Sequence, residues 1–337
     1  MYSHHIQEKI KMNSNIGNMS NTYPILLVNF GGPRNLDEVA PFLKELLCDR
    51  DVIRTRFPKF FHNWLFSRIA RKRATKVKED YELIGGASPI YFDTENLAKA
   101  LSEKLQVEVL TFHRYLPATH AASIEKMKKA KELKVLPLFP QYCSATTGSI
   151  ARFLSHLPPN KLKWIKSYAK HPAFIKAYQK RIANFLTEKG LKEEDTVLFF
   201  SAHGVPKSFI QEGDIYESEC IDSFNEVMKA FPKTLGRLCY QSKFGRGEWL
   251  RPYTNEACDE ICNWNEGRKQ IVFIPISFTS DHIETLFEIE KLYLPIIESK
   301  GLNAYRCPAL NLESYWVDAL LEIAQGPAVL SSKSLIR

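Results

Sequence analysis

A repeated order of short apolar runs and longer helical patterns restricts the fold of this 337-residue chain more than any other feature. Each run is rich in β-branched or aromatic residues, and most end in glycine, proline or small polar residues. Runs of this length and composition are typical of strands that are buried on both faces. They lie at 23–30, 107–112, 134–139, 196–201, 237–241 and 270–276, with two further candidate runs at 162–168 and 302–306.

Helical patterns separate most of these runs, and the β-α order predicts an α/β fold of parallel sheets with helices on both faces. The order occurs in each half of the chain, so we expect two domains of ordinary size. The polar stretch at 143–148 is predicted to be a loop. The predicted boundaries are a disordered N-terminal extension at 1–22, domains at 23–170 and 171–325, and a C-terminal tail at 326–337.

The composition is typical of a globular protein in a reducing compartment. Hydrophobic residues make up 45% of the chain, yet no apolar run approaches the ~18 residues of a membrane span. The first 22 residues lack the apolar stretch of a secretory signal. Seven cysteines are scattered without a CxxC pair, which favours reduced thiols in a cytoplasmic protein over disulfide bonds.

Much of the net charge of +8 lies in one basic cluster, defined here as Arg68, Arg71, Lys72, Arg73, Lys76 and Lys78. The cluster follows a helical pattern of apolar residues that begins at Phe57. Two interpretations stay open. One is a core-facing helix with a solvated basic end, and the other is an amphipathic lip that contacts an anionic membrane surface or holds an anionic substrate. No nucleic-acid-binding motif accompanies the cluster, so we expect no nucleic-acid partner.

The stretch from Ile274 to Glu288 is the first candidate for chemistry. An apolar strand ends there in polar residues, and Asp281, Glu284 and Glu288 follow at the spacing of one helix face, with His282 among them. Ligands of open α/β sheets bind at such strand ends. The structural alternative is a capping box with Asp281 at the N-cap and Glu284 at N3, since acids suit a helix N-terminus.

His203 is the second candidate, because it follows the strand at 196–201 within the sequence Ser-Ala-His-Gly-Val-Pro. Small neighbours leave an imidazole accessible, although a lone histidine often has only a structural role. If the strands before His203 and Glu284 are neighbours, the two side chains face one crevice. A neutral imidazole and a carboxylate can bind a first-row divalent metal or exchange protons.

Several motifs in a fixed order make the chain resemble the ferrochelatases, enzymes that insert ferrous iron into a porphyrin in haem synthesis. The resemblance extends from about residue 25 to 324. Each motif alone is weak, whereas the ordered set is specific. The motifs are LVNFGGP at 27–33, IGGASPI at 84–90, LFPQY at 138–142 with TTGS at 146–149, SAHGVP at 201–206, QSKFG at 241–245 with EWLRPYT at 248–254, and SDHIET at 280–285.

The resemblance implies two similar Rossmann-like domains that hold the porphyrin in the cleft between them. It implies that His203 and Glu284 bind the iron or accept protons, with His282 and Glu288 as neighbouring catalytic positions. The residues that it implies for substrate binding are Phe30 against the macrocycle face, Arg114 and Tyr115 near the porphyrin edge, Trp249 as an aromatic wall, and Ser88, Lys72 and Arg73 near the propionates.

Elementary chemistry agrees with these roles. Metal insertion removes two pyrrole protons, and an imidazole with a pKa near ~6.5 accepts a proton at neutral pH. Carboxylates one helical turn apart can pass protons or a metal along the helix face. A macrocycle needs apolar and aromatic walls, and its anionic propionates favour a basic rim.

The chain departs from the family at two places. The acidic row often continues for another turn in the family, whereas Leu292 stands at that position here, and Glu290 and Glu298 have other spacings. Some members hold an iron–sulfur cluster on cysteines of a C-terminal extension. The last cysteine here is Cys307, so we expect no cluster and no tightly bound cofactor.

The expected function is therefore insertion of ferrous iron into protoporphyrin IX, the terminal step of haem synthesis. Phe30 favours protoporphyrin, because members that use coproporphyrin tend to have tyrosine at this position. The expected location is the cytoplasm, with peripheral contact to the inner membrane face if the basic cluster forms a lip. The alternatives are a porphyrin or haem carrier without turnover, and a chelatase for coproporphyrin or another tetrapyrrole.

Overall fold

The computed structural model describes residues 23–245 and 247–336, and the predicted extension at 1–22 lies outside this range. The first half is built around one sheet. Its elements are β1 (Ile25–Asn29), α1 (Val39–Cys48), α2 (Lys59–Glu82), α3 (Pro89–Leu105), β2 (Val109–His113), α4 (Pro117–Lys129), β3 (Leu133–Pro137), a short π-helical turn (Ser144–Gly148), α5 (Ser149–Phe153) and β4 (Leu162–Trp164).

The second half repeats this plan around a second sheet. Its elements are α6 (Pro172–Lys189), β5 (Thr196–His203), α7 (Lys207–Gln211), α8 (Tyr216–Met228), β6 (Leu235–Gln241), α9 (Thr254–Asp259), α10 (Ile261–Trp264), β7 (Gln270–Ile274), a long π-helix (Glu284–Tyr293), α11 (Leu294–Glu298), β8 (Asn303–Arg306) and α12 (Ser314–Gln325).

Both sheets are parallel and have equivalent strand orders, which are β2-β1-β3-β4 and β6-β5-β7-β8. In each half the first strand is central and the second strand is at the edge, beside it. The predicted α/β class with two similar parallel sheets is confirmed. β1 and β5 have mostly buried side chains on both faces, as the continuous apolar runs predict.

The stretch at 143–148 was predicted to be a loop, and this prediction is wrong. Residues Ser144–Gly148 form a π-helical turn that continues into α5. The reason is a tertiary contact, since the Ser144 amide donates to Asp214 Oδ2 of the second half at 2.7 Å. The Tyr142 amide donates to Glu219 Oε2 at 2.6 Å in the same way. These two carboxylates join the halves along one seam.

One cluster of buried apolar side chains extends across both halves. It includes Leu27 and Leu97 of the first half and Phe174, Leu198 and Trp316 of the second. α12 packs against both α6 and α3, and Lys104 of α3 forms an ion pair with Asp318 of α12. The two sheets therefore share a core, and the position of one relative to the other is fixed by buried contacts.

The residues after α12 pack against the first half. Leu330 forms an antiparallel bridge to Trp164 of β4, and Trp164 Nε1 donates to Ser332 Oγ at 3.0 Å. Leu335 is 1% exposed and completes the apolar cluster of the first sheet. The Tyr142 hydroxyl donates to the Leu335 carbonyl oxygen at 2.7 Å. We call residues 326–336 the C-terminal segment.

None of the described helices is both long and apolar enough to cross a membrane. Most of the cysteines are buried and none forms a disulfide. Burial raises the pKa of the thiols at Cys143, Cys220 and Cys258.

Candidate functional site

The carboxyl ends of β5 and β7 lie side by side in the second sheet, because the two strands pair in parallel. β5 ends at His203, and the long π-helix that follows β7 begins at Glu284. His203 Nδ1 lies 2.7 Å from Glu284 Oε2. The two candidate residues, 81 positions apart in sequence, are in direct contact.

Ser242 joins Glu284 to Glu288. β6 pairs with the other side of β5 and ends at Gln241, so Ser242 lies beside the same pair. The Ser242 hydroxyl oxygen is 3.0 Å from Glu284 Oε2 and 2.7 Å from Glu288 Oε2. Gln241 Nε2 donates to Glu288 Oε2 at 3.1 Å and to the Glu284 carbonyl oxygen at 2.9 Å. Ser242 has a φ of 63°, and backbone strain of this kind clusters at functional sites.

Both glutamates belong to the long π-helix, a rare conformation with i→i+5 hydrogen bonds that is frequent at functional sites. Both acids reach Ser242, so the predicted common face for Glu284 and Glu288 is present. Leu292 is largely exposed further along the helix. Glu290 Oε1 accepts from Arg306 Nε at 2.7 Å, so this acid is already engaged and does not extend the row.

The electrostatics of the three groups differ. Burial alone would favour the neutral form of each. At His203, the charge and hydrogen bond of Glu284 outweigh burial and raise the pKa. At Glu284, the interactions with His203 outweigh burial and lower the pKa. At Glu288, burial and the charge of Glu284 together raise the pKa. Glu284 is therefore the acid that stays ionised, and Glu288 is the acid that holds a proton more readily.

Asp281 does not cap the helix, so the capping-box alternative is wrong. Ile283 occupies the N-cap position and provides no side-chain cap. Asp281 Oδ1 accepts from Arg306 Nη1 at 2.8 Å and from Thr285 Oγ1 at 2.7 Å, and Oδ2 accepts from Asn311 Nδ2 at 2.8 Å. Arg306 is the last residue of β8 and Asn311 lies after that strand, so a local sequence pattern could not reveal these partners.

Comparison with known proteins identifies the family. The ferrochelatase family model matches residues 23–327. The chain belongs to the ferrochelatase family. A ferrochelatase of Chlamydia abortus is 45% identical over 322 residues, which cover 95% of this chain and all (100%) of that one. A ferrochelatase of Chlamydia caviae is 44% identical over 315 residues, which cover 93% of this chain and 98% of that one. Among solved structures, SirB from Bacillus subtilis with Fe³⁺ aligns with a TM-score of 0.48 at 16% identity, over 68% of this chain and 86% of that chain.

His282 lies beside the glutamate pair of this ferrochelatase-family chain. Its Nε2 is 3.9 Å from Glu284 Oε1, and its Nδ1 is 3.2 Å from the Ser280 carbonyl oxygen. Its ring packs against Phe278 with a centroid distance of 4.6 Å. Burial lowers the pKa of His282 and outweighs the nearby acids. The pKa values of the two histidines are thus shifted in opposite directions, upward at His203 and downward at His282.

Phe30 and Ser88 lie at turns of the first half. Phe30 follows β1, and its ring is 5.1 Å from that of Tyr115. Ser88 precedes α3 and is buried, and its amide donates to the Pro33 carbonyl oxygen at 2.7 Å. A Cβ on Gly32 would lie 2.5 Å from Ser88 Cβ, so the turn and the start of α3 can approach this closely only with glycine at 32.

Arg114 and Tyr115 belong to a buried polar network of the first half. Arg114 Nη2 lies 2.8 Å from Asp49 Oδ2, and the Tyr115 hydroxyl donates to the same oxygen at 3.0 Å. Ser149 Oγ completes the set at 2.5 Å from Asp49 Oδ2. Tyr115 is fully buried. Tyr115 therefore packs against Phe30, and both Arg114 and Tyr115 have polar atoms that are engaged by Asp49.

Trp249, Lys72 and Arg73 lie apart from the His203–Glu284 contact, on a loop of the second half and on α2. Trp249 is half-buried and forms an antiparallel bridge with Pro206, three residues after His203. Lys72 and Arg73 are exposed on α2. The Arg73 guanidinium lies 4.8 Å from the centre of the Phe244 ring, so it connects the first half to the loop after β6.

The sequence did not assign roles to Gln241, Ser242 and Tyr81, although the first two lie in a recognised motif. Tyr81 of α2 is buried, and burial together with the charge of Glu284 raises its pKa. A serine or glutamine at a strand end carries no distinct local signal. A tyrosine at helical spacing is typical of a core position, so only the three-dimensional arrangement reveals these neighbours.

Proposed function

We propose that this chain is an enzyme that inserts ferrous iron into protoporphyrin IX and releases two protons for each haem formed. The observation that supports this best is the contact of His203 with Glu284 at the ends of neighbouring strands, in a chain of the ferrochelatase family. The pair combines an imidazole and a carboxylate, which suit both ferrous iron and proton transfer.

In the proposed reaction, the macrocycle nitrogens lose two protons and form four bonds to the iron, so the metallated ring is neutral. His203 accepts the macrocycle protons one at a time, and the ionised Glu284, 2.7 Å away, stabilises the imidazolium that forms each time. Only the neutral imidazole can accept a proton, and Glu284 raises the pKa of His203, so the imidazolium persists to higher pH than in a free histidine. The rate is therefore expected to rise with pH through the His203 ionisation.

Glu288 and Ser242 extend the route for protons. The Ser242 hydroxyl lies within hydrogen-bond distance of both carboxylates and can donate to one while accepting from the other. Because the pKa of Glu288 is raised, this acid can take a proton from the inner pair and release it to solvent. Leu292 cannot continue the route, so it ends at Glu288.

The apolar and basic surfaces near the cleft support a flat, anionic, aromatic substrate. Aromatic side chains are exposed along the first turns of α2 and near the cleft at Phe60, Trp64, Phe92 and Phe244. Lys72 and Arg73 on α2 provide positive charge for propionates. Phe30, rather than a polar side chain, at the end of β1 favours protoporphyrin over coproporphyrin.

A turnover assay tests the function against the alternatives. Trace protein is incubated anaerobically with excess ferrous iron and excess protoporphyrin, coproporphyrin or sirohydrochlorin in parallel. We expect many equivalents of product per chain, with the highest kcat/KM for protoporphyrin. A plateau at one equivalent per chain contradicts the enzyme and supports a carrier. A higher kcat/KM for either other tetrapyrrole contradicts the assigned substrate.

We also propose that the protein is cytoplasmic and makes peripheral contact with the inner face of the membrane. The contact is made by a lip formed by the N-terminal part of α2 and the basic cluster. The side chains of Phe57, Phe60, Phe61 and Trp64 are exposed rather than buried in the core. The opposite face of α2, which includes Phe66 and Ala70, is buried. Apolar and basic residues on one exposed helix favour the interface of an anionic bilayer.

We propose further that the enzyme works without an iron–sulfur cluster. Cluster ligands are deprotonated thiolates, and burial raises the pKa of most cysteines here. Iron and acid-labile sulfide analysis of anaerobically purified protein tests this. Stoichiometric sulfide would contradict the proposal.

A further inference from the structure

We infer that Arg306, at the end of β8, is a positioning residue that fixes the register of the long π-helix and thereby the place of Glu288 relative to Glu284. The inference rests on the proposed function, because it concerns how the acids of that same site are held. Arg306 itself contacts neither His203 nor the two acids, and it acts through Asp281 and Glu290.

Arg306 binds two carboxylates that lie on either side of the active acids in sequence. Its Nη1 is 2.8 Å from Asp281 Oδ1, before the helix, and its Nε is 2.7 Å from Glu290 Oε1, inside the helix. The Arg306 side chain is only 12% exposed. A buried guanidinium with two charged partners is costly to disturb, because removing either partner leaves a charge without compensation.

Asp281 is anchored to the segment that follows β8. It accepts from the Ala309 amide at 3.3 Å and from Asn311 Nδ2 at 2.8 Å, in addition to Arg306. Its position is therefore set by the second sheet. Arg306 also binds Glu290. The segment before the π-helix, through Asp281, and the second turn of the helix, through Glu290, are therefore both bound to the end of β8.

The attachment selects the π-helical register. A π-helix has i→i+5 hydrogen bonds, and conversion to the commoner i→i+4 pattern would rotate every residue after Glu284 relative to it. Glu290 could not then stay on Arg306 while Glu284 stays on His203. From the opposite side, Ser242 and Gln241 hold Glu288. The helix is thus held from β6 and from β8, with the active acids between.

Arg181 provides a matched control. It is a similarly buried arginine, 14% exposed, in the same region of the molecule. Its Nη1 lies 2.7 Å from Glu313 Oε1, and its Nε donates to the Pro308 carbonyl oxygen at 3.2 Å. Both partners lie outside the π-helix. Loss of Arg181 therefore removes an arginine ion pair, as loss of Arg306 does, but has no direct effect on the register of the π-helix.

The experiment is a pair of double-mutant cycles measured by enzyme kinetics. The single variants are Arg306→Met, Arg181→Met and Glu288→Gln, and each arginine change is also made in the Glu288→Gln background. Rates are expressed per porphyrin-binding site, counted by fluorescence titration. We expect Arg306→Met to lower kcat by about tenfold or more and to raise the KM for iron, with the KM for porphyrin within about twofold. In the Glu288→Gln background, its effect on kcat should shrink to less than about threefold, because coupled residues are not additive.

Arg181→Met should leave kcat within about twofold of the unmodified chain in both backgrounds. If Arg306→Met has the same small effect, or the same full effect with and without Glu288, the positioning role is wrong. If the unmodified chain itself shows no turnover, the proposed function fails instead. Should Arg306→Met not fold, Glu290→Ala provides the same test, because it removes the contact of Arg306 with the helix alone, and an unchanged kcat in that variant would overturn the inference.

Discussion

At the residue scale, the site is organised around a proton shared between His203 and Glu284. Each group shifts the pKa of the other away from its ordinary value, and each shift favours the charged form of its owner. The contact therefore favours an ion pair of imidazolium and carboxylate over the two neutral groups.

We predict that His203→Ala lowers the metallation kcat by about a hundredfold or more, in the range of a lost general base. Porphyrin affinity, measured by fluorescence quenching, should change little. Glu284→Gln should have a similar effect and Glu288→Gln a smaller one, because Glu288 lies one step further from the macrocycle. His156→Ala, a change of an exposed histidine, is the control. Substantial turnover in His203→Ala would remove this residue from the mechanism.

We predict that Glu284→Gln lowers the pKa of His203, measured from imidazole chemical shifts in an NMR titration. The carboxylate raises this pKa, whereas burial lowers it, so removal of the charge leaves burial as the main influence. The imidazolium should therefore lose its proton at lower pH in the variant. Glu298→Gln, on the exposed end of α11, should leave the titration unchanged. An unchanged midpoint in Glu284→Gln would contradict the contact.

The sequence predicted the two central residues of the site but not the atoms between them. His203 and Glu284 stand out because the histidine comes at the end of one apolar strand and the acid lies in the polar stretch after another. The roles of Ser242 and Arg306 depend on which strands are neighbours, and strand order is a long-range property. For Asp281 the local pattern was misleading. The pattern fits a helix cap, whereas the partners of Asp281 come from β8 and the segment after it.

At the scale of elements, the C-terminal segment behaves as part of the first sheet. Its Leu330 lies on the edge strand β4, and its Leu335 fills the apolar cluster beneath. The predicted tail boundary at 326 follows from the end of the helical pattern of α12. The sequence beyond it contains no long apolar run that would identify a packed segment.

We predict that Leu335→Ala lowers the free energy of unfolding by about 2–5 kcal/mol, the range for a buried leucine truncated to alanine. Val329→Ala, which alters a side chain that is 76% exposed, should change it by less than about 0.5 kcal/mol. Denaturant titration followed by tryptophan fluorescence measures both, because Trp164 lies under this segment. Equal and small effects would show that the segment does not contribute to the folded core.

Strands were predictable and the π-helical segments were not. Apolar runs bounded by glycine or polar residues identify β1, β3, β5 and β7 within a few residues. The run at 162–168 forms a strand only over Leu162–Trp164. No sequence periodicity distinguishes a π-helix from an α-helix over two turns, and the short turn at 144–148 depends on Asp214 of the other half.

At the scale of the whole molecule, the two halves are joined by a shared apolar core and by the contacts of Asp214 and Glu219 with the first half. The repeated β-α pattern predicted two similar parallel sheets, but it does not give the strand order within each sheet. It does not give the shared core either, because the pairing of α12 with α3 joins residues of different halves. The predicted domain boundary at 170 therefore separates the two sheets, but the shared apolar core extends across it.

We predict that reversing the charges of Arg71, Lys72 and Arg73 to glutamate weakens binding to vesicles that contain anionic lipid, since each basic residue near such a surface contributes about 1 kcal/mol. Sedimentation with vesicles of mixed neutral and anionic lipid measures the change. Reversal of Lys126, Lys128 and Lys129 on α4 is the matched control for net charge. If both triple variants bind as the unmodified chain does, the membrane lip is refuted.

The C-terminal segment also has a consequence for the order in which the chain is made. Trp164 of the edge strand contacts Ser332, a residue synthesised 168 positions later. At about 5–20 residues per second, the interval between them is on the order of ten to thirty seconds. During this time the first sheet has an uncovered edge, which is a site for pairing with other chains. Slow translation of the second half would lengthen that exposure.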